Sequence, residues 1–280
     1  MKIKVITTSS SGLNYLPHAQ SIDIVPDIIY FSDYEQYNDF EEITPESLYA
    51  RMRMDSTCNP VILPQKIDYF GSVIDNALNN GYEALFFVLP TADIINYKPI
   101  IELLTRNIDI PYYVFYSNTI GYSLAYQVVE LDRMLKNGDK PEDAIKVLDR
   151  LVERCGMVIH SPINDLLPFV SRIEYDEDVF NYDMKAKVYD ASHGSFTKIK
   201  VSRKKSPLSC MLKHYYNINK NDNVNLAIFF TSDLSKYNEF IEEKLLSIHS
   251  GLNNIKKLPL PSAIGIKVGC NSVAVAYIKK

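Results

Sequence analysis

The fold is decided at the amino end, where Lys2-Ile3-Lys4-Val5-Ile6-Thr7-Thr8-Ser9-Ser10-Ser11-Gly12 passes from a β-rich run into hydroxyl residues and a glycine. Lys2 to Thr8 reads as a strand, because β-branched residues suit a pleated, buried surface. The polar break then places hydroxyls at the carboxyl end of a strand, where doubly wound sheets take their ligands. Two readings of Thr7 to Ser11 stay open: the hydroxyls cap the following turn, or they contact a ligand.

Outward from that strand, extended and helical segments alternate, the pattern of a mainly parallel sheet covered by helices. Ile22 to Tyr30 is extended, and Thr44-Pro45-Glu46 opens a helix to about Met54 with a capping residue followed by a proline at the first helical position. After Pro64, Ile67, Phe70, Ile74 and Leu78 recur at helical spacing until Asn80-Gly81 ends the run. Ala84 to Leu89 predicts a strand, Asp93 to Leu104 a helix disturbed by Pro99, Tyr112 to Tyr116 a strand, and Thr119 to Lys136 a long helix. A helix from Pro141 to about Arg154 closes this half.

The pattern changes near Cys155 and Gly156, which divides the chain into an α/β domain over 1–155 and a second α/β domain over 156–280. Strand Met157 to His160, a hairpin around Ser192-His193-Gly194-Ser195, helices at Pro207 to Asn217 and Ser235 to His249, and strands at Asn225 to Thr231, near Lys256 and at Ser272 to Ile278 make up the second part. A chain of 280 residues exceeds what one core usually supports, in keeping with two domains.

Composition excludes several classes. A formal net charge of −4 and the single short basic run Arg203-Lys204-Lys205 give no footprint for nucleic acid. The amino-terminal apolar run turns polar at Thr7, too early for a secretion signal, and no stretch is apolar for the ~20 residues of a membrane helix, so the cytoplasm is the expected compartment. Cys58, Cys155, Cys210 and Cys270 lie far apart and read as free, mostly buried thiols. His18, His160, His193, His214 and His249 lack metal-ligand spacing, and neither a phosphate-binding glycine loop nor H-E-x-x-H occurs. No catalytic residue, metal or cofactor is expected. The carboxylate clusters Asp176-Glu177-Asp178 and Glu41-Glu42 read as solvated faces, and the tyrosines as packing residues, with Tyr97 and Tyr122 as individual ligand candidates.

The order of these elements, with several short blocks, resembles the DegV family over essentially the whole chain. Val5-Ile6-Thr7-Thr8-Ser9-Ser10-Ser11-Gly12-Leu13 stands where the family has a strand and a T-D-S-x-x-D-L-P-like block; Thr7 and Ser9 match, while Thr8 and Gly12 replace the aspartates. Ile24-Val25-Pro26 and Ile43-Thr44-Pro45-Glu46 match a V-P element and an I-T/S-P-E helix start. At P-x-T-S-Q-P the chain has Asn59-Pro60-Val61-Ile62-Leu63-Pro64, and at S-S-x-L-S-G-T-Y it has Pro90-Thr91-Ala92-Asp93-Ile94-Ile95-Asn96-Tyr97. Tyr116-Ser117 stands at a D-S block, and Lys267, within Ile264 to Tyr277, takes the place of a histidine in I-G-x-H-x-G-P-G. Arg203 resembles the start of a carboxyl-domain helix in R-x-x-K-A.

The resemblance implies two α/β domains with a lipid tunnel between them, a long-chain fatty acid held without chemistry on it, and a fatty acid kinase as partner. It carries the lipid-binding role to Thr7, Ser9, Val61, Ile62, Ile94, Asn96, Ser117 and Lys267. Val61, Ile62 and Ile94 stand at hydroxyl positions of the family, so donors for an anionic head group must come from elsewhere, since a buried carboxylate without partners is costly. Lys267 with Ser9, Asn96 or Ser117 supplies them on one reading; on the other, Lys267 reaches solvent at a strand end. Binding of a different amphiphile, a scaffold without ligand, and a serine-dependent hydrolase or transferase using the Thr7 to Ser11 loop are the alternatives.

Overall fold

The computed structural model describes residues 1–32, 34–55, 57–91, 94–106, 108–161, 187–192, 196–199, 206–230, 235–249, 255–269 and 271–280. In chain order its elements are β1 (Ile3–Thr8), β2 (Ile22–Val25), β3 (Ile28–Ser32), β4 (Glu35–Asn38), α1 (Pro45–Met54), β5 (Val61–Leu63), α2 (Ile67–Asn79), β6 (Ala84–Pro90), α3 (Ile94–Thr105), β7 (Tyr112–Ser117), α4 (Tyr122–Lys136) and α5 (Pro141–Val152). Then follow β8 (Cys155–Ser161), β9 (Lys187–Asp190), β10 (Thr197–Ile199), α6 (Pro207–Asn219), β11 (Val224–Phe230), α7 (Ser235–Ile248), β12 (Lys256–Pro259), α8 (Ser262–Val268) and β13 (Val273–Lys279).

These elements form two compact units, Met1–Thr44 with Pro60–Glu153, and Pro45–Asn59 with Arg154–Lys280. The chain therefore leaves the first unit at residue 45, returns at residue 60, and leaves it again after Glu153.

In the first unit a parallel sheet runs β2-β1-β6-β7. Every residue of β6 is buried, as expected of a central parallel strand covered on both faces. Side chains alternate across a strand, so neighbouring residues feed opposite layers. Val5, Phe86, Val88 and Phe115 pack under Leu124, Val128 and Leu131 of α4 and Leu148 and Leu151 of α5. Ile6, Leu85, Phe87 and Leu89 pack under Phe70 and Ile74 of α2 and Tyr97 and Ile101 of α3. A small antiparallel sheet, β4-β3-β5, completes the unit.

In the second unit a six-stranded sheet runs β10-β9-β8-β13-β11-β12, antiparallel except for the β11–β12 pair. Leu208, Met211 and Tyr215 of α6 and Ile241 and Leu245 of α7 pack on Val158, Val188, Val273, Val275 and Tyr277. The strands β9 and β10 are the antiparallel pair expected around Ser192; His193, Gly194 and Ser195 lie outside the described residues, as do Arg203 and the carboxylates at 176–178.

Three local expectations change. The extended run from Ile22 divides into two strands in different sheets, interrupted at Pro26, which lacks a ladder donor. The helix expected from Thr119 begins at Tyr122, because Gly121 takes φ 57° and ψ −135°, a conformation that only glycine adopts readily, while the Thr119 hydroxyl bonds Ser117 and Gln127. Lys267, placed at a strand end on one of its two readings, sits in the last turn of α8, where a cation faces the negative end of the helix dipole.

Candidate functional site

The strand order fixes where a ligand site belongs. From β1 the chain goes to β2 on one side and then to β6 on the other, so the order reverses between β1 and β6, and the crevice beyond their carboxyl ends is the switch point of the sheet. Thr7 to Ser11 occupy that end of β1, with Ser9–Ser11 in one 3-10 turn, and all five side chains are at most 2% exposed.

Buried hydroxyls must spend their protons on partners, and here the protons can be followed one by one. Thr7 Oγ1 donates to the Val88 carbonyl oxygen at 2.8 Å, tying β1 to β6. Ser11 Oγ donates to the Thr8 carbonyl oxygen at 2.8 Å. Thr8 Oγ1 and Ser10 Oγ lie 2.6 Å apart, so one gives its proton to the other and a single proton of the pair is left over. Ser9 Oγ donates to Asp27 Oδ2 at 2.9 Å and accepts from the Asp27 backbone N–H at 3.0 Å. Asp27 follows Pro26 directly after β2, and its other carboxylate oxygen, Oδ1, accepts the Tyr97 hydroxyl. Asp27 and Tyr97 are both buried.

A second polar cluster lies at the carboxyl end of β7. Ser117 Oγ is 2.5 Å from Gln127 Oε1 and 2.7 Å from Thr119 Oγ1, and Gln127 Nε2 donates to the Leu148 carbonyl oxygen at 3.4 Å. The two clusters are joined through the backbone, since Gly121 N–H donates to the Ser10 carbonyl oxygen at 3.1 Å. Beside Ser117, burial pushes the Tyr116 phenol above its ordinary pKa, with the Glu102 carboxylate adding to the effect.

The remaining sequence candidates are placed differently. Val61 and Ile62 are half-buried on β5, paired with Tyr30 and Ile29 of β3. Ile94 is the first residue of α3, and Asn96, in the same turn, is exposed. Lys267 belongs to the second unit, half-buried on α8. Thus Thr7, Ser9 and Ser117 share the carboxyl edge of the parallel sheet, while Val61 and Ile62 belong to the small one. Two surface grooves of the first unit, of about 510 and 400 Å³, lie elsewhere: one beside Tyr37 and Tyr69, the other between α2 and α3 beside Ile74 and Leu104.

Sequence reasoning missed Asp27, Thr119 and Gln127. Asp27 carried a signal, an acid immediately after the apolar run Ile24-Val25-Pro26 at a strand's carboxyl end. Gln127 sits inside an amphipathic helix and gives none. Cys58, Cys155 and Cys210 form no disulfide, and Cys270 lies outside the described residues. Among the described residues no group of three or more His, Cys, Asp or Glu is placed to hold a metal, and no helix is long and apolar enough to cross a membrane.

The α/β fold of two units is shared with solved structures described as fatty-acid-binding proteins. A DegV family protein of Thermus thermophilus, described by its fatty acid binding, superimposes with a TM-score of 0.83 at 16% identity over 100% of both chains. A stearic-acid-binding protein of Eubacterium ventriosum gives 0.82 at 20% identity over 99% of this chain and 98% of its own. The Streptococcus pneumoniae Fatty Acid Kinase (Fak) B3 protein, loaded with linoleic acid, gives 0.77 at 14% identity over 100% of both. No curated protein sequence matches. The sequence model described as "Uncharacterised protein, DegV family" matches residues 2–167, more than half of the chain, and the protein belongs to the DegV family.

Proposed function

We propose that the protein is a cytoplasmic carrier that holds a long-chain fatty acid or a related amphiphile, does no chemistry on it, and presents it to a fatty acid kinase. The observation that carries this reading is the buried hydroxyl turn Thr7 to Ser11 at the switch point of the parallel sheet, in a chain of the DegV family. An acyl tail gains about 0.8 kcal/mol per buried methylene, so apolar lining supplies most of the affinity. The head group needs polar partners out of water, which is the role we assign to Thr7, Ser9 and Ser117. Val61, Ile62 and Ile94 contribute lining, Asn96 an amide donor, and Lys267 a cation for a charged head group. Support for the kinase step is the fold shared with the Fak B3 protein.

A serine-dependent hydrolase or transferase is less well supported. Ser9 gives its proton to a carboxylate that already accepts a second hydroxyl, from Tyr97, which weakens it as a base.

The test is mass spectrometry of the protein purified without added lipid, under native conditions and after solvent extraction. A stoichiometric bound amphiphile is expected. An empty protein that also refuses added fatty acids and fatty alcohols would overturn the carrier reading. Replacing Lys267 by Met should weaken fatty acid binding more than fatty alcohol binding; equal effects remove Lys267 from the site. Acyl phosphate formed on adding a fatty acid kinase and ATP to the loaded protein is the expected sign of presentation, and its absence would count against that step.

A further inference from the structure

We propose that Asp27 sets the head-group preference of this site, so that it takes a neutral, hydrogen-bond-donating end, an alcohol or a protonated acid, over a carboxylate. The inference rests on the reading of the Thr7 to Ser11 turn as the head-group site, and it is the alternative to a charged head group paired with Lys267.

The argument is a count of protons and lone pairs. A serine hydroxyl has one proton and two acceptor sites. The Ser9 proton lies on Asp27 Oδ2 at 2.9 Å, and one lone pair takes the Asp27 N–H at 3.0 Å. What Ser9 has left is a single acceptor site. A carboxylate is acceptor-only, so a carboxylate oxygen placed there would meet lone pair with lone pair. Moreover, Ser9 already serves a carboxylate: Asp27, held by the Ser9 and Tyr97 hydroxyls, occupies the acceptor's position that a fatty acid head group would otherwise take. Ser9 is 1% exposed and Asp27 4%, so water is not at hand to rescue a mismatched group.

The rest of the turn points the same way. Thr7 and Ser11 have given their protons to Val88 and Thr8 carbonyl oxygens, and the Thr8–Ser10 pair keeps one. Of its hydroxyl protons the turn thus keeps one to donate, and at Ser9 the side chain offers an acceptor alone. A hydroxyl or protonated carboxyl matches both; an ionised carboxylate matches only the donor.

Asp27→Asn tests this with little change of shape. The Tyr97 hydroxyl donates to Oδ1, so in the variant the amide oxygen keeps that bond and the NH₂ faces Ser9 Oγ. Ser9 then accepts from the amide, and its own proton turns to the ligand. Displacement of a fluorescent fatty acid probe by palmitate and by 1-hexadecanol at pH 8 reads the outcome. The wild-type protein should favour the alcohol by about tenfold, the worth of one well-made hydrogen bond, and Asp27→Asn should shift the ratio toward palmitate by a similar factor. Wild-type binding of palmitate as tight as the alcohol, unchanged in Asp27→Asn, overturns the inference and leaves the carrier reading standing. Failure of the wild-type protein to bind either overturns both. If Asp27→Asn does not fold, Ser9→Ala decides: it should abolish the alcohol preference, and a preference that persists sinks the proposal.

Discussion

Gly265 of α8 stands against the phenol ring of Tyr49 of α1, so closely that a Cβ on Gly265 would overlap the Tyr49 hydroxyl oxygen and the ring carbon bearing it. Tyr49 is 1% exposed and donates its hydroxyl to the Leu260 carbonyl oxygen at 2.5 Å. The ring therefore has no room to retreat without giving up a buried hydrogen bond. Gly265→Ala should destabilise the protein by roughly 1–3 kcal/mol, the usual cost of overpacking a core, read as a lower urea midpoint. Tyr49→Phe should cost about 1 kcal/mol alone, because it leaves the Leu260 carbonyl unpaired, and should recover part of the loss in the Gly265→Ala background, since the overlapping hydroxyl is gone.

Gln127 holds the second polar cluster together from inside α4. It accepts from Ser117 and donates to Leu148, and it is fully buried. Gln127→Leu preserves volume but strands the partners, so the expected loss is about 1–3 kcal/mol in chemical denaturation. The leucine variant losing no stability would mean that the cluster is satisfied in some other way.

Two histidines make stability depend on pH. Burial holds the His160 ring below its ordinary pKa of 6.5, and burial does the same to His249, against an opposing pull from Asp222. Where folding depresses a histidine pKa, the unfolded chain binds the proton more readily. Stability from these groups is thus fully present above the unfolded value of 6.5 and is lost as pH falls through 6.5 toward the folded values. The urea midpoint should drop between pH 7.5 and 5.5, and His160→Phe with His249→Gln should flatten that drop; an unaltered slope in the double variant would assign the dependence to other groups.

The parallel sheet core rests on Leu148 of α5, 0% exposed and packed with Phe86 and Val128. Leu148→Ala should cost about 2–5 kcal/mol in thermal or urea unfolding, the range for emptying a buried leucine site.

Much of this architecture was legible along the chain. The apolar run of β6, the spacing of Phe70 and Ile74, and the hydroxyls following Val5-Ile6 are local patterns that predict a central strand, an amphipathic helix and a strand-end turn, and each stands where expected. What escaped is set by partners distant in sequence. Asp27 is one acid within the extended run Ile22 to Tyr30 until Ser9, 18 positions away, is seen beside it. Thr119 reads as helix because propensity gives no weight to the Ser117–Gln127 pair that holds it outside. Candidate donors could be named from sequence, but not where their protons go, since a hydroxyl's direction is decided by whichever acceptor the fold brings near.

The excursion of Pro45–Asn59 into the second unit has a consequence for the order in which the molecule can be completed. Tyr49 leaves the ribosome 211 residues ahead of its acceptor Leu260, and its neighbour Gly265 follows later still. During synthesis α1 must wait, without its lodging, while the strands around it find theirs. For the same reason a fragment beginning after Glu153 would be a unit with a missing piece, and a synthetic peptide spanning residues 45–59, added from outside, is the natural means of finishing it.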